Sequence, residues 1–244
     1  EEAVIDCEYK GHGLWAGAGD WTLFADLKII RPNFSERGGM LLHGHHNGAQ
    51  NVTVEDASWS RSTNCTGFLL RGDQNLCHRC VGRNNYDRDD PSRHWNSSNY
   101  LTYPEGSNQT IYILDSYSEN SSVGFKIKHA GKGQVVFHGN LDFKSQYGFG
   151  GMDDNSEISY NTFMNNGTGL GMAISDPNDF TRGDMHVHHN TVLKAYRTAW
   201  VGDSYSQDGG LRVEDNVFST PRVLGSRDTD ALFFSIWQYK EELP

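Results

Sequence analysis

The chain has 244 residues, of which 36% are hydrophobic and 21% are charged, a composition typical of a soluble globular protein of single-domain size. Its formal net charge of −10 argues against general binding to nucleic acid, which requires a basic surface. No apolar stretch is long enough to span a membrane as a helix, and the 27 glycines indicate many turns.

Cysteines and sequons point to an exported protein. The four cysteines are Cys7, Cys65, Cys77 and Cys80, and the Cys77/Cys80 pair lacks the second pair that a structural zinc site needs. We therefore expect one or two disulfides. Seven N-x-S/T sequons also favour a secreted or cell-surface glycoprotein; they begin at Asn33, Asn51, Asn64, Asn96, Asn108, Asn120 and Asn166. No signal peptide is visible, although the abrupt start is compatible with a removed leader.

One short sequence unit recurs about every 20 to 30 residues, the spacing of a solenoid coil. In each copy an apolar residue stands three places before an Asn or a small residue. The copies are residues 54–57, 113–116, 137–140, 158–161, 187–190 and 213–216. An Asn at one turn position of successive coils would bond its side-chain amide to backbone groups. We therefore expect the four asparagines to lie one above another: Asn140, Asn161, Asn190 and Asn216.

A second unit lies between the copies of the first and has the pattern of a short strand. Its copies are residues 39–43, 67–71, 99–103, 124–128, 148–152, 169–173 and 198–202. Two short strands per repeat cannot bury their apolar side chains alone, so the repeats must stack. The sequence thus predicts one all-β domain over 1–244, a single-stranded right-handed parallel β-helix of about eight coils. It could be a trimmed part of a longer protein.

The runs 155–166 and 185–192 resemble the pectate-lyase-like superfamily of right-handed parallel β-helices. The resemblance implies the fold over nearly the whole chain. It does not specify activity, because the superfamily contains lyases, hydrolases, epimerases and surface proteins. The sequence lacks the clustered Asp array of the classical calcium site and an evident N-terminal capping helix.

Strand alternation separates inward from outward side chains in the second unit. We expect two buried columns: Phe68, Tyr100, Phe125, Phe149 and Leu170, and then Leu70, Thr102, Ile127 and Met172. One outward column contains Leu41, Leu69, Leu101, Lys126, Gly150, Gly171 and Trp200. The other contains His43, Arg71, Tyr103, Lys128, Met152, Ala173 and Gly202. Adjacent strands lie about 4.8 Å apart, so the stretch from His43 to Lys128 would span about 15 Å, the size of a cleft.

The residues His43, Arg71, Tyr103 and Lys128, which we call the titratable column, suit β-elimination from a uronic acid. Arg71 can pair with the sugar carboxylate in bidentate geometry. Lys128 can act as the base if neighbouring cations lower its pKa. Tyr103 and His43 can transfer the second proton. Some β-helix lyases that this chain resembles use a Lys/Arg pair with calcium on the carboxylate. The leading hypothesis is a secreted polysaccharide lyase that cleaves an acidic, uronate-containing glycan.

Other candidate substrate-binding residues surround the titratable column. They are Lys126 and His129 beside it, Asp73 and Glu105 at its edge, and Arg88, Arg93, His94 and Trp95 in the long loop 84–98. Calcium is the candidate cofactor: Asp73, Glu105, Asp153 and Asp154 offer oxygen ligands for it, although no spacing among them demands it. His186, His188 and His189 are a weak metal candidate, because alternation predicts that His189 lies on the opposite face.

Three alternatives to the lyase remain. A C5-epimerase would use the same residues. A glycoside hydrolase would instead use Asp73 and Glu105 as a carboxylate pair. A non-catalytic glycan-binding or structural β-helix would carry the column as ordinary solvated surface. Because the chain is acidic overall, a polyanionic substrate requires a locally basic cleft.

Overall fold

A computed structural model describes residues 3–17, 19–33, 38–58, 65–86, 97–104, 109–128, 133–151, 156–172, 185–195, 197–201, 211–219 and 235–236. All regular elements within these ranges are β-strands. The first nine are β1 (Ala3–Asp6), β2 (Leu14–Ala16), β3 (Leu23–Ala25), β4 (Leu27–Ile30), β5 (Met40–Leu42), β6 (Gly48–Gln50), β7 (Thr53–Glu55), β8 (Thr66–Arg71) and β9 (Asn75–His78). The next nine are β10 (Val81–Arg83), β11 (Ser98–Tyr103), β12 (Thr110–Leu114), β13 (Tyr117–Glu119), β14 (Val123–Ile127), β15 (Gln134–His138), β16 (Leu141–Phe143), β17 (Tyr147–Gly150) and β18 (Glu157–Ser159). The last eight are β19 (Thr162–Met164), β20 (Thr168–Met172), β21 (Met185–His188), β22 (Thr191–Leu193), β23 (Arg197–Val201), β24 (Leu211–Glu214), β25 (Val217–Phe218) and β26 (Ser235–Ile236).

The strands form three parallel sheets along the solenoid. Sheet A has the order β1-β4-β7-β10-β13-β16-β19-β22-β25, sheet B has β2-β5-β8-β11-β14-β17-β20-β23-β26, and sheet C has β24-β21-β18-β15-β12-β9-β6-β3. The chain passes from C to A to B and returns to C one coil further on. The predicted all-β parallel β-helix is therefore confirmed. Each coil has three strands rather than the two predicted, because the strands of sheet A were not recognised.

The predicted interior of sheet B is confirmed in its register. Tyr100 pairs with Phe68 on one side and Phe125 on the other, and the column continues through Phe149 to Leu170. All five side chains are buried. The ring of Tyr100 stacks on those of Phe68 and Phe125, with centroids 4.9 Å apart in both cases. Stacked rings of neighbouring coils thus form the core and lock the register.

The predicted asparagine ladder is also confirmed, at the corner between sheets C and A. The backbone N–H of Asn140 donates to Asn161 Oδ1 at 2.9 Å, that of Asn161 to Asn190 Oδ1 at 3.0 Å, and that of Asn190 to Asn216 Oδ1 at 2.8 Å. Each side-chain amide also donates to a carbonyl of the preceding coil, as Asn161 does to Phe137 O at 2.9 Å. The backbone N–H and C=O groups at this corner, where the sheets end, therefore form hydrogen bonds with asparagine side chains of the next coil.

At both corners of sheet A, the first residue after the preceding strand has a left-handed backbone conformation with positive φ. At the C-to-A corner these include Arg79, Asp115 and Tyr160, and at the A-to-B corner Asp56 and Asn84, all with φ between 49° and 59°. The similar local patterns explain one wrong assignment. Residues 54–57 lie at the A-to-B corner, not with the asparagine ladder, and Ala57 N donates to Asn85 Oδ1 there.

Chain length varies at some corners and not at others. From β6 onward, every connection from sheet C to sheet A has two residues, as at 51–52, 115–116 and 215–216. Connections on either side of sheet B range from three residues, as at 72–74 and 120–122, to fourteen at 84–97 and sixteen at 219–234. Added residues are therefore concentrated along the two margins of sheet B.

The expected disulfides are not formed, which corrects the sequence-based prediction. None of the four cysteines is disulfide-bonded, and three are buried. Cys77 points into the coil, between Ala49 and Ile113 of the neighbouring strands. Cys80 follows at the C-to-A corner and is also fully buried. Burial, with a smaller contribution from Cys80, raises the pKa of the Cys77 thiol well above its usual value. The pair fills the core as small apolar side chains do.

A polar network lies inside the coil at the A-to-B corner. Asn99 accepts from Asn85 Nδ2 at 2.9 Å and donates to Ser118 Oγ at 2.8 Å. Asp142, which is fully buried, occupies the same inward column one strand further, since it pairs with Ser118. Its carboxyl accepts from Ser145 Oγ at 2.8 Å. Burial raises the pKa of Asp142 to about 7, although these hydrogen bonds act in the other direction.

Asn166 donates through Nδ2 to the other oxygen of Asp142 and is 3% exposed. This asparagine begins one of the seven sequons. Its amide is committed to the interior and is inaccessible in the folded chain, so the sequon at 166 does not offer a glycosylation site there.

Candidate functional site

The titratable column lies on the outer face of sheet B in the predicted register. Tyr103 pairs directly with Arg71, and the Arg71 guanidinium lies over the Tyr103 ring with Cζ 4.9 Å from its centroid. Lys128 directly follows β14, and its N–H donates to Thr102 O at 3.1 Å. His43 follows β5 in the same way. All four side chains of the column are half-buried. The sheet therefore brings the predicted catalytic groups together on one line.

The adjacent outward column has a different environment from the one expected. Leu101 pairs with Leu69 and with Lys126, and Leu69 pairs with Leu41, as predicted. The three leucines form a cluster that is 2% to 7% exposed, and Tyr103 packs against it. Outward-pointing side chains are thus shielded from water here. The titratable column borders an apolar surface, where electrostatic interactions are stronger than in water.

Lys126 is the most unusual residue of this face, because its side chain is fully buried although it points away from the core. Burial lowers its pKa well below the usual value for lysine, and the charge of Lys128 lowers it further. Two ammonium groups on neighbouring outward positions disfavour each other. Lys126 therefore loses its proton more readily than an ordinary lysine, next to the titratable column. The sequence predicted a binding role for Lys126 and did not indicate its burial.

Asp73 lies at the corner between sheets B and C. Its carboxylate accepts from Thr110 N at 2.9 Å, and its backbone forms a bridge with His45. Asp20 makes a similar contact two coils earlier, accepting from His45 N at 3.1 Å. Both carboxylates cap backbone groups of the following coil at this corner. This structural role makes Asp73 a poor candidate for one half of a hydrolase pair.

The remaining predicted site residues lie outside the described residues. They are His129, Arg88, Arg93, His94, Trp95, Glu105, Asp153 and Asp154. The predicted members Met152, Ala173 and Gly202 of the titratable column also lie outside. Among the residues that the structure does describe, no group of three or more His, Cys, Asp or Glu side chains is arranged to hold a metal ion. Calcium binding therefore stays a prediction that concerns residues outside the described ranges.

The histidines of β21 form a second polar cluster, on the outer face of sheet C. His186 and His188 share a face as predicted, and their rings stack with centroids 4.0 Å apart. His189 does not lie on the opposite face. Its left-handed backbone at the corner, with φ 54°, brings its Nδ1 to 2.8 Å from that of His188. One of these nitrogens must donate and the other accept, so two imidazolium rings cannot form this bond.

A hydrogen-bonded chain links the neighbouring coil to these histidines. Ser159 donates to Glu157 Oε1 at 2.7 Å, so Ser159 Oγ must accept from His138 Nδ1, 2.9 Å away. Glu157 Oε1 also lies 3.5 Å from His188 Nε2. The serine is fully buried and satisfied by these partners, which makes it a structural link rather than a nucleophile.

No family model, curated protein or solved structure gives a significant match to this chain. The coordinates establish a parallel β-solenoid, and the resemblance to the pectate-lyase-like superfamily therefore rests on the sequence runs alone. In the part of the chain that the structure describes, we find no helix with the length and apolar character needed to cross a membrane.

Proposed function

We propose that this protein is a carbohydrate-active enzyme of the cell surface or secreted space that cleaves a uronate-containing polysaccharide by β-elimination. The observation that carries the proposal is the half-buried column in which Arg71, Tyr103 and Lys128 occupy successive coils beside the buried Lys126. A parallel β-helix is compatible with carbohydrate-active enzymes and presents such a row to an extended chain.

The first step requires neutralisation of the sugar carboxylate and removal of the C5 proton. Arg71 lies over the Tyr103 ring, and its planar guanidinium has the geometry for bidentate pairing with a carboxylate. Lys128 is the accessible member of the lysine pair. Because the charge of Lys128 contributes to the lowered pKa of Lys126, the pair loses a proton more readily than an isolated lysine, and Lys128 accepts the C5 proton.

The second step is loss of the leaving group. As the C5 proton departs, the bond between C4 and its glycosidic oxygen breaks and a C4–C5 double bond forms. Tyr103 or His43 gives a proton to the departing oxygen, so the products are an unsaturated uronate and a new chain end with a hydroxyl group. An epimerase would instead return a proton to C5 on the opposite face and leave the chain intact.

The test is incubation with a panel of uronate polymers while ultraviolet absorbance follows the unsaturated product. We expect Lys128→Ala to lower the rate at least about 100-fold, the usual contribution of a positioned acid or base. Arg71→Lys should also be strongly impaired, because a point charge does not reproduce the bidentate contact.

Arg83 provides a matched control on sheet A, where its Cζ lies 5.3 Å from the centroid of the Tyr117 ring. Arg83→Lys should leave the rate unchanged. Full activity of both column variants would show that the column is ordinary surface. Altered C5 stereochemistry without chain cleavage would identify an epimerase, and binding without either product would identify a non-catalytic glycan-binding protein.

A further inference from the structure

A groove lies at the corner between sheets B and C in the first coils, where His46 and Gln74 follow three residues after His43 and Arg71 of the titratable column. It encloses about 330 Å³ and is lined by residues from three successive coils, chiefly Trp21, Leu23, His46, Gly48, Gln74 and Leu76. We call it the Trp21 groove. Its volume lies at the lower end of the range for small-ligand sites.

The groove is built around a flat aromatic platform. Trp21 stacks on His46 with ring centroids 4.2 Å apart and planes 3° from parallel, and yet Trp21 is 77% exposed. One face of the indole is thus covered by the imidazole and the other is open. Both residues have left-handed backbones, with φ of 64° and 58°, at equivalent corners of neighbouring coils. Asn47 fixes the local backbone by accepting from Thr22 N at 3.0 Å.

The floor of the groove is apolar. Leu23, Gly48 and Leu76 pair in register along the outer face of sheet C. The Leu23 side chain lies close over Gly48, since a Cβ at position 48 would be 3.1 Å from Leu23 Cδ1. A larger residue at position 48 would therefore displace Leu23 and reshape the floor.

The polar groups at this corner favour an uncharged ligand that carries hydroxyl groups. Asp20 and Asp73 immediately precede Trp21 and Gln74, and their carboxylates would repel a uronate. The Gln74 side chain is exposed and offers both a donor and an acceptor to a hydroxyl pair. An aromatic face presents an apolar surface that matches the C–H face of a pyranose ring.

We propose that the Trp21 groove binds a neutral pyranose unit of a glycan, with the sugar ring stacked on the open face of Trp21. The site is separate from the titratable column and does not depend on the proposed lyase activity. It would attach the protein to a neutral polysaccharide, or to neutral residues within a mixed one.

The test is isothermal titration calorimetry of the full chain with tetrasaccharides of glucose, xylose, mannose and galactose, and with a tetramer of galacturonate. We expect saturable binding of at least one neutral tetramer and weaker binding of the galacturonate tetramer than of its galactose counterpart. Trp21→Ala should weaken the neutral interaction at least about tenfold, through loss of the stack. Gly48→Val should do the same by displacing Leu23 from the floor.

Trp15→Ala is the matched control, because Trp15 is another exposed tryptophan, but on sheet B; it should bind like the wild type. Thermal melts establish that each variant is folded. The proposal is overturned if no neutral tetramer binds, if folded Trp21→Ala binds normally, or if Trp21 instead mediates concentration-dependent self-association. Lys128→Ala should retain the binding, so failure of the lyase assay leaves this result unaffected.

Discussion

Asp142 should make the folded chain less stable as the pH rises, which is the reverse of the usual behaviour of a carboxylate. Its pKa of about 7 in the folded state compares with an ordinary value of 3.8. Between these two pH values the folded state binds more protons than the unfolded state, so the free energy of unfolding falls as the pH increases. The stabilisation is complete below about pH 3.8 and lost by about pH 7. At about 1.4 kcal/mol per pH unit the total is on the order of 4 kcal/mol.

Asp142→Asn removes the titration while keeping the size of the side chain. Urea unfolding of the wild type and the variant should be measured at intervals from pH 4 to pH 8. Over this range the wild type loses the stabilisation from Asp142, and the variant has none to lose. The free energy of unfolding of the variant, minus that of the wild type, should therefore rise, while the contributions of groups common to both proteins cancel. A flat difference would show that the buried carboxyl is not held neutral.

Three further predictions concern the corners and the core. Asn161→Ala should lower the free energy of unfolding by about 2–4 kcal/mol in urea titrations, because it leaves two backbone groups of the preceding coil, Asn140 N–H and Phe137 C=O, without their partner; an unchanged midpoint would contradict the ladder. Cys77 should not react with an aromatic disulfide reagent until the chain unfolds, so rapid labelling under native conditions would refute its burial. Burial, and then the charge of His186, lowers the pKa of His188 below the ordinary 6.5. Stability should therefore be lost as the pH falls below about 6.5, and the loss should be smaller in His188→Asn, as measured by thermal melts at pH 8 and pH 5.

The sequence predicted sheet B well because its strands are long enough to show alternation. Strands such as β8 and β11 have six residues and carry aromatic residues at the inward positions, so the register of Phe68 and Tyr100 follows from the pattern. The strands of sheet A were missed for the opposite reason. A three-residue strand such as β10 has a single inward position, and so it shows no periodicity. In β10 that position is Gly82, which carries no side chain.

The line of the titratable column followed from alternation, but its surroundings did not. Alternation distinguishes inward from outward and says nothing about what packs against the outer face, so the burial of Lys126 could not be predicted. The position of His189 was missed because alternation applies only within a strand, and a left-handed corner residue breaks it. The thiols were misjudged because C-x-x-C spacing does not show that both side chains point into a core.

The difference between constant and variable connections bears on how such a protein can diverge. Sheets C and A share a corner of fixed length that contains the asparagine ladder, so an insertion there would displace every rung above it. The margins of sheet B also contain asparagines that bond between coils, such as Asn47 and Asn85, but their connections vary in length, and they flank the titratable column on both sides. A lineage can therefore exchange or extend segments such as 84–97 and acquire a new substrate preference while it inherits the rest of the scaffold unchanged. Selection for fold and selection for specificity act on different corners of the same coil.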